Sequence, residues 1–166
     1  DTAFALSIQA CGLPLDTRAQ WMDEESCYWL DPADEQVLSY LTSIARELQS
    51  LGFDEVVFSD FTFPDSPNIV YDGDRQQAVL DAAERLRSNL ELDGIVFSLE
   101  TDDPALAAYA QRVYWPTDDG ADVVSLADAM SAVYDDLPAS LVFITGSRDT
   151  RFAQYGLLQP CLETAE

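Results

Sequence analysis

The chain contains neither lysine nor histidine, and all eight of its basic residues are arginine. These absences remove whole classes of chemistry from what the chain can supply. Without His there is no Ser–His–Asp or Cys–His relay and no His-ligated zinc. Without Lys there is no Schiff base and no phosphate-loop Lys. Cysteine is scarce: Cys11, Cys27 and Cys161 form no Cys-x-x-Cys pair. They read as buried free thiols, with a Cys11–Cys27 bridge as the alternative if the compartment oxidises. No apolar run approaches the roughly 18 residues that a membrane span needs, and no signal-peptide pattern is visible. The chain begins at Asp1 rather than Met, so upstream sequence is expected to have been removed.

What is abundant is acid. There are 31 Asp and Glu residues, giving a formal net charge of −23. Such a charge repels phosphate backbones and anionic lipid, so neither nucleic acid nor membrane is an expected partner. Solubility, or adaptation to acidic surfaces, is the plain reading. A nucleic-acid mimic is a competing one that rests on charge alone. The chemistry left to the chain is that of carboxylates, with Tyr, Ser or Arg in support. No cofactor is expected. The acid clusters Asp118-Asp119 and Asp135-Asp136 lack the spacing of a calcium loop, so no metal site is expected either. With 48% hydrophobic residues in 166, the chain is a folded domain rather than a disordered acidic tail.

Hydrophobic periodicity organises the chain into strand–helix units. Residues 3–9 read as a strand, and residues 10–31 follow with no clear period. Asp31 and Pro32 are expected to open the first helix. Val37, Leu38, Leu41, Ile44, Ala45, Leu48 and Leu51 form its inner face, and Gly52 closes it. Residues 55–59 form a near-continuous apolar run, as in a parallel strand buried on both faces. A second helix spans about 74–90, and a third strand 94–99 ends at Glu100. Asp103-Pro104 opens a third helix carrying Leu106, Tyr109, Ala110 and Val113 inward. Residues 122–125 read as a fourth strand, with Ser125 and Asp128 resembling a capping box before a further helix. Residues 141–145 read as a fifth strand. The phrases Val-Val-Phe-Ser (56–59) and Ile-Val-Phe-Ser (95–98) form a weak internal repeat. This alternation is that of an α/β domain with parallel strands and right-handed crossovers. Two architectures fit: an open doubly wound sheet, or part of a (β/α)8 barrel, which needs eight strands and roughly 250 residues. No Gly-rich fingerprint follows the first strand, so dinucleotide binding is unsupported.

One stretch carries more specific information. It opens with Trp29-Leu30-Asp31-Pro32 and continues through Val37, Tyr40-Leu41, Ile44-Ala45 and Glu47. It ends Gly52-Phe53-Asp54-Glu55-Val56-Val57-Phe58-Ser59-Asp60-Phe61-Thr62-Phe63-Pro64. This resembles a bacterial family of glycoside-hydrolase-like barrels carried as a domain of unknown function. In that family a Trp-x-Asn/Asp-Pro helix start leads to Gly-Phe-Asp-Glu-Ile-Gln-Phe-Asp-Tyr-x-Arg-Phe-Pro. More loosely, Ser98-Leu99-Glu100 resembles the family's next strand end. The resemblance implies a TIM (β/α)8 barrel whose first strands lie upstream of Asp1, so that residues 1–166 are one domain's fragment. It also implies a carbohydrate-related role, secreted or at the bacterial cell envelope, without excluding the cytoplasm. Aligned without gaps, the family's strand-end Asp falls on Ser59, its Tyr on Asp60 and its Arg on Thr62. Glu100 occupies the family's second acidic position.

Glycoside hydrolysis needs two carboxyl groups flanking the scissile bond, about 5–5.5 Å apart for retention or 6.5–9.5 Å for inversion. Neighbouring parallel strands lie about 4.8 Å apart, so acids at adjacent strand ends suit that geometry. Asp60 and Glu100 end consecutive strands and are the candidate catalytic pair. Tyr71, Trp21 and Phe61 are candidate sugar-stacking rings, with Ser59 a further substrate contact. Trp29, beside the helix start, reads as packing. Asp72 and Asp74, and Asp102 and Asp103, read as helix caps. A hydrolase and a non-catalytic glycan- or protein-binding barrel both fit these residues. For the cysteines, thiol titration of the unfolded, unreduced protein should find three reactive groups, which would rule out the Cys11–Cys27 bridge.

Overall fold

A computed structural model describes residues 3–4, 21–23, 28–117, 123–146 and 150–159. The three cysteines lie outside them, as does most of the first expected strand. Six parallel strands form one sheet: β1 (Ala3–Phe4), β2 (Glu55–Phe58), β3 (Val96–Glu100), β4 (Arg112–Pro116), β5 (Leu141–Ile144) and β6 (Gly156–Leu158). Their order in the sheet is their order in the chain. A doubly wound sheet reverses its strand order at a switch point; this one never does. Sequential winding is that of a (β/α) barrel, and the open doubly wound alternative is set aside.

Strand alternation explains why the helices can all lie on one side. Val56 and Phe58 of β2, Phe97 and Leu99 of β3, Val113 and Trp115 of β4, and Leu141 and Phe143 of β5 share one face. Every one of them is buried and belongs to an apolar cluster with the helices. The opposite face carries Glu55, Ser98, Arg112 and Tyr114.

Helices α1 (Glu35–Ser50) and α2 (Arg75–Leu92) cover β2 and β3. Their buried residues recur three and four apart: Val37, Leu38, Leu41, Ala45 and Leu48 on α1; Val79, Ala82, Ala83, Leu86 and Leu90 on α2. Both end through a glycine of positive φ, Gly52 at +99° and Gly94 at +73°, the left-handed closure that a Cβ disfavours. Phe53 and Ile95 then donate their backbone N–H back to Leu48 and Leu90. Gly94 therefore ends α2 rather than beginning β3. The cap of α1 also differs from expectation. Asp34, not Asp31, is the N-cap and accepts from the Gln36 N–H at 2.7 Å. Asp31 instead closes the preceding turn, accepting from the Ala33 N–H at 2.9 Å. Of the acids expected as caps, Asp74 caps α2 and Asp103 caps α3 (Pro104–Ala107), while Asp72 and Asp102 are not the N-caps.

The larger corrections lie between residues 104 and 130. The third helix stops after one turn, and Val113 lies in β4, not on that helix. Residues 112–116 read Arg-Val-Tyr-Trp-Pro, a β-branched and aromatic run that suits a strand. Residues 122–125 are not a strand: α4 runs Val123–Met130. Val123, Ala127 and Met130 are its buried residues, spaced four and three apart. Ser125 lies inside that helix, so no capping box forms there. A short helix α5 (Leu137–Ser140) precedes β5, and a 3₁₀ turn at Thr150–Phe152 precedes β6. Asp34→Ala should lower stability by about 1 kcal/mol in urea unfolding, as loss of an N-cap does. Asp31→Ala should cost less; the reverse order would place the cap at Asp31.

Candidate active site

The face turned away from the helices is built around Glu55, the first residue of β2. Its carboxylate accepts from Ser98 Oγ on β3 at 2.6 Å, from Arg112 Nη1 on β4 at 2.8 Å, and from Tyr114 OH on β4 at 3.2 Å. Arg112 Nε also donates to the Ala139 carbonyl at 3.0 Å, tying in α5. Ser98 is fully buried and Tyr114 is 6% exposed, so these polar groups depend on one another for hydrogen bonds. Burial and the neighbouring Glu55 charge raise the Tyr114 pKa and keep its phenol a donor. On the helix side Tyr134 has a comparable structural role. Its hydroxyl lies 2.6 Å from the Ala107 carbonyl, and burial pushes its pKa up to about 12.

Glu100 is the last residue of β3 and lies on the same face as Glu55 and Ser98. It pairs in register with Tyr114. On its other side Phe58 is level with Leu99, so one further step brings Ser59 level with Glu100. Asp60 then breaks the strand. Its φ is +50°, the left-handed region that Asp tolerates better than most residues. Its carbonyl accepts from the Thr62 N–H at 2.8 Å. Simple alternation aims residue 60 at the helix side; the left-handed turn re-aims the chain as it leaves β2. The Glu100 pKa is raised above the usual carboxylate value, first by burial and second by the negative charge of Asp60.

The aromatic candidates are placed differently. Phe61 sits on the helix side, edge-on to Phe58 and Phe97 with ring centroids 6.2 and 6.4 Å away. Tyr71 packs on Phe63 at 4.8 Å. Burial and the charges of Asp31, Asp74 and Asp81 raise its pKa. Trp21 pairs with Trp29 at 5.9 Å, and the Trp29 indole donates to Asp23 at 2.9 Å. Of the sequence candidates, Glu100, Asp60 and Ser59 stand at the C-terminal ends of the neighbouring strands β2 and β3. Glu55, Ser98, Arg112 and Tyr114 were not legible as a group. Among the described residues no cluster of three acids could hold a metal ion, and no helix is long and apolar enough to cross a membrane.

Residues 1–101 match the model of a protein family described as "putative glycosyl hydrolase domain". Among solved structures, Ega3 of Aspergillus fumigatus in complex with galactosamine is 13% identical. The match covers 84% of this chain and 52% of that one, with a TM-score of 0.54. The GH36 α-galactosidase AgaA of Geobacillus stearothermophilus, in complex with stachyose, is 17% identical over 93% of this chain and 25% of that one, with a TM-score of 0.56. A hypothetical protein of Ruminiclostridium thermocellum is 25% identical over 53% of this chain and 46% of that one, with a TM-score of 0.46. The chain therefore spans about half the length, or less, of the structures it matches. At such identities the likeness to the first two is one of fold. No curated protein matches the chain.

The Glu55–Arg112 pair is partly exposed, with side chains 20% and 38% accessible, so its loss should cost less than that of a fully buried pair. Glu55→Gln should destabilise by about 1–3 kcal/mol, read by urea unfolding. In a double-mutant cycle with Arg112→Gln the two changes should be non-additive. Additive losses would show that the two side chains do not work as a unit.

Proposed function

Because the chain belongs to the family described as a putative glycosyl hydrolase domain, we propose that it acts on polysaccharide through the strand-end carboxylates Glu100 and Asp60. In this reading the six strands are an arc of a larger barrel, and the substrate lies at or outside the cell envelope. Chemistry on a barrel belongs at the C-terminal strand ends, where both acids stand. The observation that carries the reading is positional: Glu100 ends β3 on the face away from the helices, level with Tyr114, and Asp60 follows the neighbouring strand β2, with the Glu100 pKa raised by burial and by the Asp60 charge. A glycosidase separates its two acids by environment: one must hold a proton at working pH while the other is ionised. Glu100 gives its proton to the glycosidic oxygen as the bond from that oxygen to the sugar carbon breaks. Asp60 attacks that carbon, or takes a proton from the water that does. Ser59, level with Glu100, hydrogen-bonds a sugar hydroxyl. Trp21 and Tyr71 are engaged with Trp29 and Phe63, and this mechanism does not call on them.

Ser59 and Thr62 favour a second reading. They stand where the resembling family carries Asp and Arg, so the same barrel could bind glycan without cleaving it. Reducing-sugar release and glycan-array binding, measured side by side on the full-length protein and Glu100→Gln, separate the two. In the hydrolase, Glu100→Gln should lower turnover by roughly 10²–10⁴-fold. Activity should fall as pH rises through the elevated Glu100 pKa. The sign for stability is the same. A raised carboxyl pKa stabilises the fold below the unfolded value, and that contribution is lost as pH rises through the folded one. Glu100→Gln should therefore be as stable as the parent at neutral pH, or more so. Binding without release would refute the hydrolase; release unchanged by the substitution would refute the assignment of Glu100.

A further inference from the structure

Glu55 and Tyr114 are hydrogen-bonded to each other from the two strands that flank β3. Parallel neighbours lie about 4.8 Å apart, so β2 and β4 are separated by roughly 10 Å with β3 between them. The register sets the second coordinate. Tyr114 is level with Glu100, whereas Glu55 is level with Val96, four residues nearer the start of the chain. Yet the Tyr114 hydroxyl lies 3.2 Å from Glu55 Oε1, the same oxygen that accepts from Ser98 Oγ at 2.6 Å. The phenol must therefore lean across β3 and back toward its N-terminal end. That lean carries the ring over Ser98 and beneath Glu100. The other Glu55 oxygen accepts from Arg112 at 2.8 Å, so the anchor is itself fixed. Ser98 and Tyr114 are both buried.

We propose that Tyr114 is a positioning residue for Glu100: its ring, leaned across β3 by the bond to Glu55, is the floor that keeps water from beneath the Glu100 carboxyl. That Glu100 gives a proton to a sugar rests on the reading given above; the place of the ring beneath it does not. A carboxyl with an aromatic ring on one side loses part of its hydration, which favours the neutral acid. Burial is accordingly the first cause of the raised Glu100 pKa, and the Asp60 charge the second. The other charges on the flanking strands, Glu55 and Arg112, are paired with each other. Of the acids that follow Glu100, Asp103 caps α3 and Asp102 is exposed. The Tyr114 hydroxyl fixes the lean, and the ring shields the acid.

The test is a ¹³C NMR pH titration of the full chain labelled at its glutamate carboxyls, with the Glu100 signal assigned by its absence from Glu100→Gln. Tyr114→Leu keeps apolar bulk but is too short to cross β3. Its Glu100 midpoint should fall by about half a pH unit or more, toward the ordinary carboxylate value. Tyr114→Val, with a residue that strands favour, should give the same fall, which guards against misfolding of either variant. Tyr114→Phe keeps the ring and should hold most of the parent's elevation. The pH at which sugar release declines should move down with the midpoint in Tyr114→Leu. A role confined to stability would lower the unfolding midpoint of these variants and leave the titration where it was. A Glu100 midpoint unmoved in Tyr114→Leu and Tyr114→Val, or moved as far by Tyr114→Phe, would overturn the proposal. Sugar release lost in Glu100→Gln with an unmoved titration would overturn the positioning role alone. Release unchanged in Glu100→Gln would overturn Glu100 as the acid, while the titration still decides the role of Tyr114.

Discussion

The Glu55 carboxylate holds three side chains on two neighbouring strands, and the inner face of the sheet depends on it. Ser98, Arg112 and Tyr114 all donate to this one group. A parallel sheet wound in one direction has helices to cover only one face. The other face must be filled by its own side chains, and here they are substantially polar. Each would be costly to bury without a partner. Gathered on one carboxylate they satisfy each other, and no buried side-chain polar atom is left unpaired among the described residues. Because the donors come from β3 and β4, the same contacts favour the register in which Glu55 is level with Val96 and Ser98 with Arg112. A one-residue slip would turn each of these side chains to the apolar, helix-covered side.

That register decides where the strand-end groups stand. With Ser98 facing inward, Glu100 faces inward two residues later, level with Tyr114. Ser59 arrives level with it from β2. Asp60 follows in the left-handed region, a conformation that costs an L-residue on the order of 1–2 kcal/mol and Asp less than most. The surface ion pairs between and after the helices, Arg85–Glu35 and Arg46–Asp93, are largely exposed. They contribute little beside the apolar packing of Leu86, Leu90, Phe97 and Leu99.

The legible parts of the fold were those with a long, uninterrupted period. Helices α1 and α2, with 16 and 18 residues, repeat their apolar face often enough to be unmistakable. Strands β2, β3 and β5 sit between clear boundaries. Where elements are short the period fails. The single turn of α3 and the five residues of β4 run together, so Leu106, Ala110 and Val113 mimic one helical face although the last belongs to a strand. The Val-Val-Ser of residues 123–125 has strand composition, yet it is the start of α4. The three residues of β6 are too few for a pattern at all.

The sequence by itself determined much of the strand–helix alternation, the glycine stop of α1, the caps of α2 and α3, the family, and the carboxylate chemistry left by the absence of His and Lys. These follow from composition and from residues near one another in the chain. Tertiary structure alone decided the rest: sequential rather than reversed strand order, the gathering of Glu55 with Ser98, Arg112 and Tyr114, and the influence of Asp60 on Glu100. The partners of Glu55 lie 43 to 59 residues away. No local period records such a distance, because it is set by which strand lies next to which. The pKa of Glu100 likewise depends on burial and on a charge from the neighbouring strand's loop. Neither exists until the strands are side by side.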